Sequence, residues 1–238
     1  MIYKRHLIKA ADIEDIRVKW MWNPYIAYGK LTLLHGPQGV GKTMFLMRLM
    51  AAATNYKSID DCGGHIDPCN VLYLTNEENL EGIVRPRLKQ ADVDVDRVFI
   101  INDELPITLA DDSIEALIKE NKIRLLIIDP ITAYLEREKD FQNNPERVYP
   151  IVKKLSEIAE RTGCAIVVSA ESPGFMSHQS KVWQFVFESD VVSYLCMEDD
   201  ENGELAYRTL YHERSMISME GLPVEYVIRP HRGMDVNI

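Results

Sequence analysis

Apolar runs of strand length alternate with helix-like segments along most of the chain. Residues 31–34, Leu-Thr-Leu-Leu, predict a buried strand, and residues 44–53 just beyond are rich in good helix formers. A second apolar strand, residues 71–75, ends in the polar run Asn76-Glu77-Glu78-Asn79. Residues 80–91 then predict a helix that Pro86 kinks or splits. A short strand over 98–101 precedes a helix over 114–121, with Asp112 and Ser113 as its cap. The clearest buried strand is 124–130, and the amphipathic helix 145–161 after it is stopped by Thr162-Gly163 ahead of a further buried strand, 164–168. Such alternation with short connections predicts an α/β domain whose mostly parallel sheet carries helices on both faces.

The pattern changes from about residue 190. Three strand-like runs, 191–197, 207–211 and 224–228, follow one another without helices, so the C-terminal strands should be antiparallel and extend the same sheet. Residues 171–184 lack periodicity and read as a mobile loop. No repeat divides the chain, and 238 residues suit one large domain, with a core over roughly 13–230.

Composition narrows the setting. No run of about eighteen apolar residues is present and the N-terminus lacks a signal-peptide core, which predicts a soluble cytoplasmic protein with no membrane partner. Four cysteines form no dense framework, as a reducing compartment would require. Cys62, His65 and Cys69 are close in sequence but lack a second ligand pair, so a glycine-rich loop is the stronger reading than a zinc site. A net charge of −10 argues against coating nucleic acid by bulk electrostatics, though it permits a local basic patch on a single strand.

Chemistry is concentrated in Gly36-Pro37-Gln38-Gly39-Val40-Gly41-Lys42-Thr43, which fills every fixed position of the phosphate-loop pattern G-x-x-x-x-G-K-[ST] between a strand and a helix. Glycines there let consecutive backbone N–H groups face the phosphates of ATP at a helix N-terminus that continues through Met44. Lys42 would reach the β- and γ-phosphates, and the Thr43 hydroxyl would ligate Mg²⁺. Asp129 stands at the end of the apolar strand segment 125–128, where an aspartate can orient a metal-bound water, although an aspartate before proline can also simply open a turn. Glu77 lies just past another buried strand, as does Glu78. Either could act as a base on water, or both could be solvated turn residues.

These motifs, together with Trp20-Met21-Trp22-Asn23-Pro24-Tyr25, Arg85-Pro86-Arg87-Leu88 and Ile128-Asp129-Pro130-Ile131-Thr132, resemble the RecA-like ATPases grouped with the plasmid RepA hexameric helicase. The resemblance implies a RecA-like core, Mg²⁺-dependent ATP hydrolysis, and assembly into rings or filaments, hexamers included, with active sites between subunits. It also implies a mobile-element setting in DNA replication, recombination or repair, with single-stranded DNA as a partner. The family's catalytic glutamate falls on Glu77.

Three departures stand out against that family. Glu171 occupies the position of a γ-phosphate-sensing histidine or glutamine, where a carboxylate would repel the phosphate, and the loop after it is poor in glycine. In the C-terminal motif His212-Glu213-Arg214-Ser215-Met216, Arg214 matches the cation that reaches a neighbouring subunit's nucleotide, while Met216 does not match the family's asparagine. Arg214 reads equally well as a solvated strand residue. The aromatic cluster Trp20, Trp22, Tyr25 and Tyr28 favours packing at the sheet edge over base stacking. Two functions therefore stand: an ATPase working on DNA, and a slowly hydrolysing nucleotide switch or scaffold without motor action.

Overall fold

Among the described residues, nine strands form one sheet whose centre is the strand leading into the phosphate loop. The computed structural model describes residues 7–15, 17–59, 64–102, 107–109, 112–135, 145–171, 191–199, 208–229 and 233–237. Ahead of the sheet, β1 (Trp20–Trp22) and β2 (Ile26–Ala27) make a small antiparallel ribbon. Then come β3 (Leu31–Gly36), α1 (Lys42–Asn55), β4 (Asn70–Thr75), α2 (Arg85–Gln90), β5 (Val98–Phe99), α3 (Ser113–Glu120) and β6 (Ile123–Asp129). The chain continues through α4 (Thr132–Leu135), α5 (Pro145–Thr162), β7 (Ala165–Glu171), β8 (Ser193–Asp199), β9 (Arg208–Ser215), β10 (Val224–Arg229) and β11 (Gly233–Asn237).

The order across the sheet is β11-β10-β9-β8-β3-β7-β6-β4-β5. From β8 to β5 every pairing is parallel, and from β8 to β11 every pairing is antiparallel. The expected switch to antiparallel strands is therefore present, but β8 itself is hinged between the two regimes. It runs parallel to β3 on one side and antiparallel to β9 on the other.

Alternation along the strands loads both faces. Leu34, Tyr73, Ile127 and Val167 pack with α1, whereas Leu33, Leu74, Ile128 and Val168 pack with α3 and α5. Helix α1 is buried on nearly all sides, as its apolar sequence requires. That fixes the helix N-terminus, and with it the phosphate loop, against the sheet.

Several local details correct or extend the expectations. Pro86 does split its helix: residues 80–84 form a π-helical turn, and α2 begins beside the proline, whose missing N–H costs nothing in a first turn. Asp112 precedes α3 but makes no side-chain cap; its carboxylate meets Lys154 at 2.8 Å instead. Strand β11, with only Met234 and Val236 as apolar residues, carries too short a pattern to be read from sequence. Residues 172–190, which hold nearly all of the expected loop, lie outside the described residues, as do Cys62 and Tyr207.

Candidate active site

The loop between β3 and α1 has the conformation that its glycines permit. Gly41 sits at φ 105°, ψ 18°, a left-handed conformation, and a side chain there would collide with Ile228, whose Cδ1 lies 2.3 Å from the position of a Cβ. At Gly36 a Cβ would come within 2.5 Å of the Met197 carbonyl oxygen on β8. The C-terminal strands thus grip the loop from outside, and the Tyr226 hydroxyl adds a 2.9 Å hydrogen bond to the Val40 carbonyl. Val40 is buried, Pro37, Gln38 and Gly39 are exposed at the tip, and Met44 packs partly into the core beneath α1.

Lys42 folds back over the loop. Its ammonium donates to the Gly36 and Pro37 carbonyls at 2.8 and 2.9 Å. Burial lowers its pKa, and the negative charges of Glu171 and Asp129 oppose that shift. A buried ammonium hydrogen-bonded to neutral carbonyls is well suited to exchange them for phosphate oxygens.

Asp129 is the other anchor, buried at the C-terminal end of β6. The Thr43 hydroxyl donates to its Oδ2 at 2.8 Å, Tyr73 donates to the same oxygen at 3.4 Å, and Ser169 donates to Oδ1. Burial and the neighbouring aspartate push the Tyr73 phenol pKa well up, so it remains a neutral donor. Thr43 and Asp129 therefore come together as the phosphate-loop reading requires, a hydroxyl and a carboxylate that together suit a hard cation such as Mg²⁺.

Glu77 lines the cleft that Thr43, Thr75 and Asp129 also line, and its Oε1 accepts from the Asn79 N–H at 3.2 Å, which fixes the carboxylate. Glu78 is exposed and is not among the residues lining that cleft. Arg87, from α2, faces the same space and brings a cation to it. Glu171 ends β7 beside Gly36, exposed, with its charge acting on Lys42.

Arg214 is not brought to this cleft within one chain. It pairs with Tyr194 on β8, which pairs with Leu33, three residues below Gly36. Arg208, at the opposite end of β9, is the cation the sequence reading missed: its guanidinium lies 3.4 Å from where a Gly41 Cβ would stand. Only the antiparallel return of β9 reveals it, because no motif marks Arg208 in the sequence. The aromatic cluster packs, with Trp22 and Tyr25 buried and stacked at 4.0 Å.

Comparison with known proteins agrees with this architecture. The family described as an AAA domain matches residues 5–171. The DNA repair protein RadA of Halalkalibacterium halodurans is 29% identical over 146 residues, which cover 60% of this chain and 28% of the relative's length. A crystal structure of a KaiC-like protein from the hyperthermophilic archaeon Pyrococcus horikoshii OT3 superposes with a TM-score of 0.64 at 17% identity, over 91% of this chain and 93% of that one. That likeness shows the fold, a RecA-like core with a mostly parallel sheet. Among the described residues, no helix is long and apolar enough to cross a membrane.

Proposed function

The chain belongs to the AAA domain family, and from that premise we propose that it is a Mg²⁺-dependent ATPase that hydrolyses ATP in the cleft between the phosphate loop and β6, acting on DNA as an oligomer. The observation that carries this reading is the 2.8 Å hydrogen bond from Thr43 to Asp129, with Glu77 on the wall of the same cleft. In this reading the loop N–H groups and Lys42 bind the phosphates, and Thr43 and Asp129 hold Mg²⁺. The metal, when bound, supplies charge neutralisation for the phosphates. Glu77 accepts a proton from the attacking water, whose oxygen forms the new bond to the γ-phosphorus as the bond to the ADP oxygen breaks.

Arg87 and Arg208 approach from the chain's own side, and Arg214 is the candidate to act on a neighbouring subunit, since it lies away from its own loop. DNA as the partner rests on the similarity to the DNA repair protein RadA, of which the aligned stretch spans 28%. A helicase of the RepA type in a mobile-element setting is the finer form of the same proposal. Glu171 favours the second reading, a slowly hydrolysing switch, because its carboxylate is at the end of β7 next to the loop. Steady-state ATP turnover with and without single-stranded DNA separates the two. Strong stimulation supports the DNA-dependent ATPase, and unchanged turnover supports the switch.

A further inference from the structure

Among the described residues outside the proposed ATP cleft, one cluster of side chains has the chemistry of a metal site. His35 on β3, Cys196 on β8 and Glu213 on β9 come from three adjacent strands, and their ligand atoms all lie within 4.8 Å of one another. Strand alternation puts them on a common face. His35 is in phase with Leu31 and Leu33, which pack toward α3 and α5, and Cys196 lies between Leu195 and Met197, which point the other way. Asp129 is in phase with Ile127 and so faces the α1 side. The cluster and the proposed Mg²⁺ residues are therefore separate, on opposite faces of the sheet.

Its construction is specific. A register irregularity lies between Tyr194 and Leu195, whose partners are Arg214 and His212, and it leaves Glu213 as the extra residue on β9. Glu213 is in phase with Tyr211, the partner of Cys196, and so shares the His35 side, while buried His212 faces the other way with its partner Leu195. The Glu213 carboxylate accepts from His35 Nε2 at 2.6 Å, and Cys196 is buried beside them. Imidazole, thiolate and carboxylate form a mixed set that suits Zn²⁺ far better than Mg²⁺ or Ca²⁺. With zinc–ligand distances of about 2.0–2.3 Å, tetrahedral ligand atoms stand roughly 3.3–3.8 Å apart. The present spacing reaches that by a small opening of the His–Glu pair and a small approach of the sulfur.

We propose that His35, Cys196 and Glu213 bind a zinc-class divalent cation through Nε2, Sγ and a carboxylate oxygen, with a fourth position open to water. Binding displaces the thiol proton of Cys196 to solvent and requires the His35 proton to reside on Nδ1, so affinity rises with pH. Because His35 immediately precedes Gly36, the bound ion ties β8 and β9 to the root of the phosphate loop.

The test uses chelator-treated full-length protein without nucleotide, titrated with Co²⁺ and then back-titrated with Zn²⁺. The expected result is one equivalent of tetrahedral Co²⁺ with a thiolate charge-transfer band, lost on addition of Zn²⁺. An oxygen-ligated ion at Thr43 and Asp129 gives no such band. Cys196→Ser should abolish the band, Glu213→Gln should weaken Zn²⁺ binding by about 10- to 100-fold, and Cys62→Ser should change neither. Circular dichroism and ATP binding of each variant establish that it is folded, and the wild-type titration stands even if a variant is not. Absence of the band in the wild type, or its loss in Cys62→Ser with retention in Cys196→Ser, overturns the proposal.

Discussion

The Thr43 hydroxyl donates to Asp129 Oδ2 at 2.8 Å, which joins the first turn of α1 to the end of β6 across 86 residues of sequence. Ser169 and Tyr73 donate to the same carboxylate, so its orientation is set before any ligand arrives. Asp129→Asn keeps the shape but removes the charge that would hold Mg²⁺. Turnover should fall by about 100-fold or more, with nucleotide affinity in the absence of Mg²⁺ nearly unchanged. Full activity in the variant would remove Asp129 from the metal site.

Glu171 has two opposing effects on the loop. Its carboxylate is unfavourable toward a γ-phosphate, yet it is the strongest of the charges that raise the pKa of Lys42 against the lowering caused by burial. ATP affinity should weaken as alkaline pH removes the Lys42 proton. In Glu171→Gln that weakening should begin at lower pH, while turnover near neutrality rises. A fall in turnover would give Glu171 a positive role in catalysis.

His212 makes a structural prediction. Its Nδ1 accepts from the Gly221 N–H at 2.8 Å, so the ring proton is on Nε2 and is donated to Ser193 Oγ at 2.8 Å. Burial lowers its pKa below the ordinary 6.5, against smaller raising effects led by Glu220. The unfolded chain therefore takes up a proton first, and the stabilisation from neutral His212 is complete above pH 6.5 and diminishes as pH falls through the lowered value. Thermal unfolding should show a drop in Tm across this acidic range that is smaller in His212→Asn. Parallel pH profiles for the two proteins would contradict it.

Much of this was legible in the sequence, because local pattern and local chemistry coincide there. The apolar run before Gly36 and the apolar helix after Thr43 fix the loop's position, and the strand ending at Asp129 runs parallel to its neighbours, so its end points to the same crevice. What escaped depends on register between distant strands. Arg208 reaches Gly41 only because β9 returns antiparallel to β8, and Glu213 meets His35 only because β8 lies between β9 and β3 with Cys196 paired to both Tyr211 and His35. Glu77 and Glu78 are adjacent in sequence, and only the turn after β4 distinguishes the carboxylate that lines the cleft.

Arg214 lies level with Leu33 and away from its own loop, so the proposed role of Arg214 at a nucleotide requires a neighbouring subunit. Specific activity should rise with protein concentration, and Arg214→Ala should cut turnover by about 1,000-fold while sparing ATP binding to the isolated subunit. Mixing Arg214→Ala with Glu77→Gln should restore part of the activity. An inactive mixture in which hetero-assembly is demonstrated, with wild-type activity independent of dilution, would exclude the trans role.

The most direct measurement is Mg²⁺-dependent ATP turnover together with ATP affinity for the wild type, Glu77→Gln and Glu78→Gln. Glu77 is fixed by the Asn79 N–H on the wall of the cleft that Asp129 also lines. Turnover should fall by about 100- to 10,000-fold in Glu77→Gln at unchanged ATP affinity, and stay near the wild-type rate in Glu78→Gln. Wild-type turnover in Glu77→Gln, or no turnover by the wild-type protein under any condition of Mg²⁺ and DNA, would contradict the account.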